Sequence, residues 1–132
     1  MQPRVIKKYN PLITPDLLEE LQSVTQEEGQ VIVHCITEAS PFIDWRARIQ
    51  KTTFLFDLDS DHHSDLLHVE NISIAPEWTF IEKGGHRRYS LIFSGLPKSC
   101  SRFDLVELNE PCNSFLVNGV VRNETDVYFL KL

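Results

Sequence analysis

Residues 88–107 constrain the fold more than any other part of the chain. The first half of this stretch alternates apolar Tyr89, Leu91 and Phe93 with mostly polar neighbours. A period of two places one row of side chains against a core and the other towards water, as in a half-buried β-strand. A glycine and a proline then end the strand, because proline donates no hydrogen bond to a ladder and glycine lets the backbone turn. The alternation restarts after this loop, so the stretch predicts two strands of a β-sheet.

Similar patterns predict about eight strands at the spacing typical of an antiparallel β-sandwich, immunoglobulin-like in the broad sense. We place them at residues 31–37, 42–58, 66–74, 77–83, 86–94, 103–108, 114–121 and 126–132. The apolar phase changes within 42–58, which predicts a bend at 51–53 that carries the chain between two sheets. Gly84-Gly85 predicts a two-residue hairpin, and Gly119 predicts a bulge within a single strand.

The N-terminal part of the chain carries the only helix that we predict. Thr14 is a suitable cap, and Gly29 is placed to end the helix. Leu17, Leu21 and Val24 form one apolar stripe at helical spacing. We therefore expect a single domain over residues 1–132, with an arm and helix at 1–29 and the sandwich at 30–132.

Composition narrows the classes of partner. A chain of 132 residues is long enough for one buried core. The net charge of −6 disfavours general binding to nucleic acid or to anionic membranes, because both require a cationic surface. No apolar run approaches the ~20 residues of a membrane helix, and the N-terminus has no apolar signal segment. We expect a cytoplasmic protein.

An acidic loop at residues 57–65 is a candidate metal site. Asp57, Asp59 and Asp61 alternate as in the opening of a calcium loop, and His63 adds a nitrogen ligand. The loop departs from the calcium motif because His62 occupies the place of the turn glycine. A solvated loop between two strands, whose charges discourage edge pairing, is the alternative interpretation.

Basic side chains form a candidate surface for a protein partner. Arg46 and Arg48 share the outward face of their strand, and His86, Arg87 and Arg88 cluster beside the predicted hairpin. Guanidinium groups bind carboxylates and phosphates in pairs, so an acidic partner fits both clusters. Exposed charges that serve solubility alone are the competing interpretation.

Two further features remain as hypotheses. Trp78 and its neighbours suggest a site for a small ligand or carbohydrate, although core packing explains most of the aromatic side chains. Cys100 lies between Lys98 and Arg102, and nearby cations lower the pKa of a thiol. We find no nucleophile elbow and no Cys–His arrangement, so we expect no enzyme and no cofactor.

Part of the chain resembles a known group of proteins. The residues that carry the resemblance are 51–55, 71–76, 89–98, 103–107 and 125–128. They resemble small uncharacterised β-sandwich proteins of Bacteroidetes-type bacteria. The portion in which two strands flank the Leu96-Pro97 loop is similar to the sandwich segment that accompanies thioredoxin-like lipoproteins in those bacteria. The chain has no lipoprotein signal and no CxxC, so no redox role follows. The resemblance implies a fold and no catalytic residues.

These observations lead to one functional hypothesis with two alternatives. We expect a non-enzymatic interaction module that binds a protein partner, or a second copy of itself, through a sheet edge or the Arg46/Arg48 face. The first alternative is a divalent-metal protein that uses the 57–65 loop. The second is a sandwich that binds a small ligand or carbohydrate.

Overall fold

Nine β-strands make up most of residues 29–109 and 115–132, the parts of the chain that the computed structural model describes. The strands are β1 Gln30–Glu38, β2 Trp45–Ala47, β3 Thr53–Asp57, β4 His63–Glu70, β5 Thr79–Ile81, β6 His86–Ser94, β7 Arg102–Glu107, β8 Phe115–Val121 and β9 Val127–Lys131.

Seven of these strands form one curled sheet, and β2 and β5 form a second, two-stranded sheet. The order in the large sheet is β8-β7-β3-β4-β6-β1-β9. Neighbouring strands of this sheet are antiparallel, except that β1 and β9 run parallel, with Ile32 opposite Val127 and Ile36 opposite Lys131. Phe103 on β7 and Tyr128 on β9 meet edge to face, with ring centroids 5.0 Å apart. Strands near opposite edges therefore touch across the interior.

The core lies on the concave side of the large sheet, where alternate residues of each strand point inward. β1 contributes Val31 and Val33, and β6 contributes Leu91 and Phe93, all of them fully buried. Burial of one such side chain stabilises the fold by about 1.5–3 kcal/mol. Ile49 connects the small sheet to this core, and its backbone bridges Ile74.

The prediction of a mainly β chain is confirmed, whereas a sandwich of two facing sheets is not confirmed. The predicted helix after Thr14, and the arm that precedes it, lie outside the described residues. The compact β-branched run at 31–37 is typical of a strand buried on both faces, but the structure buries only one face of β1. Ile32, His34 and Ile36 on its second face are only partly buried.

The segment 42–58 follows the prediction in part. The chain turns at residues 51–52 and passes from the small sheet to the large one, as predicted. The expected change of phase is wrong, because Leu55 points into the core while Phe54 and Phe56 lie on the outer face. Thr53 is buried in a core position because its hydroxyl donates to the Gln50 carbonyl at 2.6 Å.

Two glycine predictions have different outcomes. Gly84 has φ 75 within a turn in which the Gly85 N–H bonds to the Glu82 carbonyl at 2.9 Å. The predicted hairpin is nevertheless wrong, because β5 pairs with β2 and not with β6. Gly119 is a bulge within one strand, as predicted, with φ 62 and its N–H bonded to the Asp104 carboxylate at 2.8 Å.

Candidate functional site

Cationic and aromatic side chains share the outer face of the small sheet. Arg46 lies directly opposite Phe80 in the β2–β5 pair. Arg48 follows the end of β2 and Trp78 precedes the start of β5, and both arginines contact the Trp78 ring. We call these four residues the Trp78 surface. Trp78 is 46% exposed and Phe80 is 58% exposed, so the aromatic rings are open to a partner.

Both guanidinium groups of the Trp78 surface lie over the indole ring. The Arg48 Cζ atom is 3.8 Å from the Trp78 ring centroid, and the Arg46 Cζ atom is 4.7 Å from it. The Arg48 Nη1 also donates to the Pro76 carbonyl at 2.9 Å. Cation–π contacts of this kind contribute about 0.5–1 kcal/mol at exposed sites. They hold flexible side chains in one arrangement before any partner arrives.

A cleft of about 400 Å³ lies beside the Trp78 surface. Trp45, Trp78, Tyr89 and Glu107 are among the side chains that line it. Glu107 is buried, and its Oε2 accepts the Gln50 N–H at 2.8 Å. Burial raises the pKa of Tyr89 to about 12, against the smaller lowering effect of its hydrogen bond with Thr37. The phenol thus stays neutral at physiological pH.

The second basic cluster does not join this surface. Arg88 lines a different cleft, of about 610 Å³, on the outer face of β1, β6 and β9. We call it the Phe129 cleft, because His34 and Phe129 stack there at 5.0 Å. The Arg87 Nε donates to the Asn71 carbonyl at 2.8 Å, and His86 lies opposite Glu38. The structure therefore separates the two predicted basic clusters and places Arg46 and Arg48 against an aromatic ring, a contact that the sequence did not predict.

The predicted metal ligands lie apart. His63 is opposite Phe56 on the outer face and stacks edge to face with Phe54, while the neighbouring Asp57 is buried on the inner face. The Asp57 Oδ1 accepts the Asp59 N–H at 2.8 Å, and its Oδ2 accepts the Ser60 hydroxyl at 2.6 Å. Within the described residues, no three His, Cys, Asp or Glu side chains form a group that could hold a metal ion.

The rest of the acidic loop is tied to the loop before β7. The Asp59 Oδ2 accepts both the N–H and the hydroxyl of Ser101 at 2.7 Å. These bonds, the backbone bond first, lower the pKa of Asp59. The predicted loop also ends earlier than expected, because β4 begins at His63. Asp61 is exposed at the loop tip.

Cys100 does not carry a reactive thiolate. Burial, with smaller contributions from the hydrogen bond and negative charge of Asp57, raises the pKa of its thiol to about 12. The Sγ atom donates to the Arg102 carbonyl at 3.3 Å. The expectation that cations lower this pKa is therefore wrong, because the side chain is buried in the core and the lowering effect of Arg122 is smaller than the effects of burial and Asp57.

A buried ion pair, which the sequence did not reveal, bonds to the loop that contains Cys100. The Arg122 guanidinium donates to Asp126 at 2.5 and 2.8 Å, and also bonds the carbonyls of Pro97 at 2.7 Å and Cys100 at 3.2 Å. The Tyr128 hydroxyl donates to Asp126 at 2.9 Å. We call Arg122, Asp126 and Tyr128 the Arg122 cluster. Burial lowers the pKa of Arg122, but the hydrogen bond and charge of Asp126 leave it above the ordinary value.

Comparisons with known protein families, with curated proteins and with solved structures find no match to this chain. The resemblance to bacterial sandwich proteins therefore stays a prediction. Among the described residues, no helix has the length and apolar character that a membrane crossing requires.

Proposed function

We propose that this protein is a non-enzymatic interaction module that binds an acidic segment of a protein partner through the Trp78 surface. The observation that supports this proposal most directly is the placement of two guanidinium groups on one exposed indole ring, at 3.8 and 4.7 Å. Phe80 extends the same face beside them.

The composition of the Trp78 surface matches that of binding hot spots. Tryptophan and arginine are enriched among residues whose truncation costs more than about 2 kcal/mol of binding energy. Phe42 and Ile43, which lead into β2, are also strongly exposed. A large exposed apolar surface on a folded domain is more often an interaction site than a solubility feature.

Charge favours an acidic partner. The chain carries a net charge of −6, yet the centre of this face holds Arg46 and Arg48. Asp44 accepts the Lys83 N–H at 3.3 Å at the end of the small sheet, so acidic groups lie at its margin. An acidic segment would be attracted to the centre and repelled by most of the remaining surface.

Tryptophan fluorescence tests this proposal at the site itself, because both tryptophans of the chain line the adjoining cleft. We expect poly-L-glutamate to change the emission at low ionic strength, and salt to reverse the change as exposed charges are screened. The double variant Arg46→Gln/Arg48→Gln should lose the response. Arg87→Gln/Arg88→Gln removes the same charge elsewhere and should keep it.

Cross-linking in the native cell provides the second test. A photoreactive benzoylphenylalanine in place of Phe80 should capture a protein that carries an acidic segment, and Trp78→Ala should abolish the adduct. The same group in place of exposed Val121 is the control. An equal response of both double variants to polyglutamate, or equal adducts from both positions, would contradict the proposal.

The cleft supports a second candidate function, binding of a sugar or another small polar ligand. Trp45 and Trp78 offer aromatic surface, and buried Glu107 offers a carboxylate to ligand hydroxyls. Titration with neutral monosaccharides should then change tryptophan emission, and Glu107→Gln should weaken this change without altering the response to polyglutamate. No emission change with any sugar would exclude this candidate.

A further inference from the structure

Strand β9 forms one edge of the large sheet, and the hydrogen bonds of its parallel pair show which backbone groups it leaves open. The Ile32 N–H bonds to the Asp126 carbonyl at 2.9 Å, and the Leu132 N–H bonds to the Ile36 carbonyl at 3.0 Å. Alternate residues of a strand bond to the same neighbour. Tyr128 and Leu130 therefore also bond to β1, and the residues between them direct their N–H and C=O groups to the open edge.

The backbone N–H and C=O groups of the first outward residue, Val127, already have hydrogen-bond partners. The Val127 N–H bonds to the Thr125 hydroxyl at 3.3 Å, and the Val127 carbonyl accepts the Asn123 amide at 2.8 Å. Phe129 and Lys131 follow it on the same edge. In the described part of the chain, β1 is the strand neighbour of β9 and no strand covers its other side.

We propose that β9 pairs with β9 of a second copy of this chain, antiparallel and around a two-fold axis at Leu130. In this register Phe129 lies opposite the partner's Lys131, and Lys131 lies opposite the partner's Phe129. Each of these two pairs exchanges both backbone hydrogen bonds. Val127, whose outward groups are occupied, lies outside the paired segment, so the register uses the open groups and avoids the closed ones.

The side chains complement each other in this register. Phe129 is 79% exposed on the outer face, and the partner's Lys131 meets it there as a cation beside an aromatic ring. Glu38 lies 3.4 Å from Lys131 and offsets the charge of each lysine. On the inner face, Leu130 meets the partner's Leu130. A two-fold interface requires such self-complementarity. If one residue of the first copy contacts a second residue of the other copy, the reverse contact also forms.

The paired residues 129–131 are not part of the Trp78 surface, so the dimer proposal and the binding proposal are tested independently. Sedimentation equilibrium of the full chain should give a mass that rises above 15.3 kDa with concentration. Phe129→Pro removes an outward N–H donor, which an edge strand tolerates, together with the aromatic ring. Loss of two bonds per dimer should raise the dissociation constant about 10- to 100-fold. Phe129→Val keeps the donor and should dimerise more strongly than Phe129→Pro.

A cross-link tests the register without a helix- or strand-breaking residue. In a Cys35→Ala/Cys112→Ser background, because Cys35 lies opposite residue 130 on β1, Leu130→Cys places two thiols across a close antiparallel pair whose Cα separation of about 4.5–5.5 Å suits a disulfide. Mild oxidation should give a covalent dimer on a non-reducing gel, whereas Val127→Cys should give none. A mass that stays at 15.3 kDa up to the solubility limit, or dimers unaffected by Phe129→Pro and without the Leu130→Cys cross-link, would overturn the proposal.

Discussion

Replacement of Arg122 by methionine tests whether the Arg122 cluster holds the 95–101 loop against the end of the curled sheet. The variant removes both bonds to Asp126, of 2.5 and 2.8 Å, and the bonds to the carbonyls of Pro97 and Cys100. It leaves a carboxylate with a side chain only 8% exposed and no cation beside it. The Tyr128 hydroxyl remains as one donor to this carboxylate.

The expected loss follows from this uncompensated charge. Removal of one partner of a buried ion pair lowers the free energy of unfolding by about 3–5 kcal/mol. Because the tyrosine hydrogen bond remains, we expect a loss of about 3 kcal/mol. Domains of this size are stable by about 5–15 kcal/mol, so the variant should still fold. Its Tm should fall by roughly 10 °C. Urea unfolding at pH 7, followed by circular dichroism and by tryptophan fluorescence, measures the free energy directly.

The double variant separates charge from packing. Asp126→Asn keeps a side chain that tolerates the observed φ of 56 and removes the negative charge. Arg122→Met/Asp126→Asn should therefore be more stable than Arg122→Met alone, because no unpaired carboxylate remains. A loss below about 1 kcal/mol for Arg122→Met, with no interaction energy in the double-mutant cycle, would refute this reasoning.

The remaining predictions concern the bulge at Gly119 and the buried thiols of Cys35 and Cys100. Gly119→Ala should cost about 1 kcal/mol in the same urea assay, because alanine is strained at φ 62, while Gly119→Asn should cost less; equal stability of all three proteins would contradict this. Cys35 and Cys100 should resist a thiol reagent at pH 8 in the folded Cys112→Ser variant, since burial raises the pKa of each from 9.0 to about 12. In the unfolded chain these thiols ionise near pH 9, whereas in the folded protein they stay neutral up to about pH 12. The free energy of unfolding should therefore be unaffected by them below about pH 9 and should decline as the pH rises towards 12. A flat profile over that interval would contradict this prediction.

Clean alternation made part of the fold predictable from sequence. Strand β6 has the predicted bounds because Tyr89, Leu91 and Phe93 alternate with outward residues and all three are buried. Asp57 and Ser64 show why alternation failed elsewhere. Both are polar yet buried, and each finds its hydrogen-bond partners inside the protein, the Ser64 hydroxyl donating to the Gly95 carbonyl at 3.0 Å. A pattern of apolar residues does not predict buried polar positions of this kind.

Long-range pairing limited the prediction of the site. The period of two placed Arg46 and Arg48 on one outward face, and Trp78 was a separate candidate for ligand binding. The contact between these two groups depends on the β2–β5 register, which no local signal specifies. Gly84 likewise marked a turn but not the strand that pairs after it. The Arg122 cluster was missed because its charged members lie in a connection without periodicity.

The parallel pair of β1 and β9 has a consequence for the order of folding. These strands are far apart in sequence, and contacts of this kind form late because a long loop must close first. Until β9 docks, β1 is itself an edge strand and Phe103 lacks its contact with Tyr128. Unpaired strand edges attract other chains during that interval. The time taken by β9 to dock therefore determines how long each molecule is exposed to aggregation.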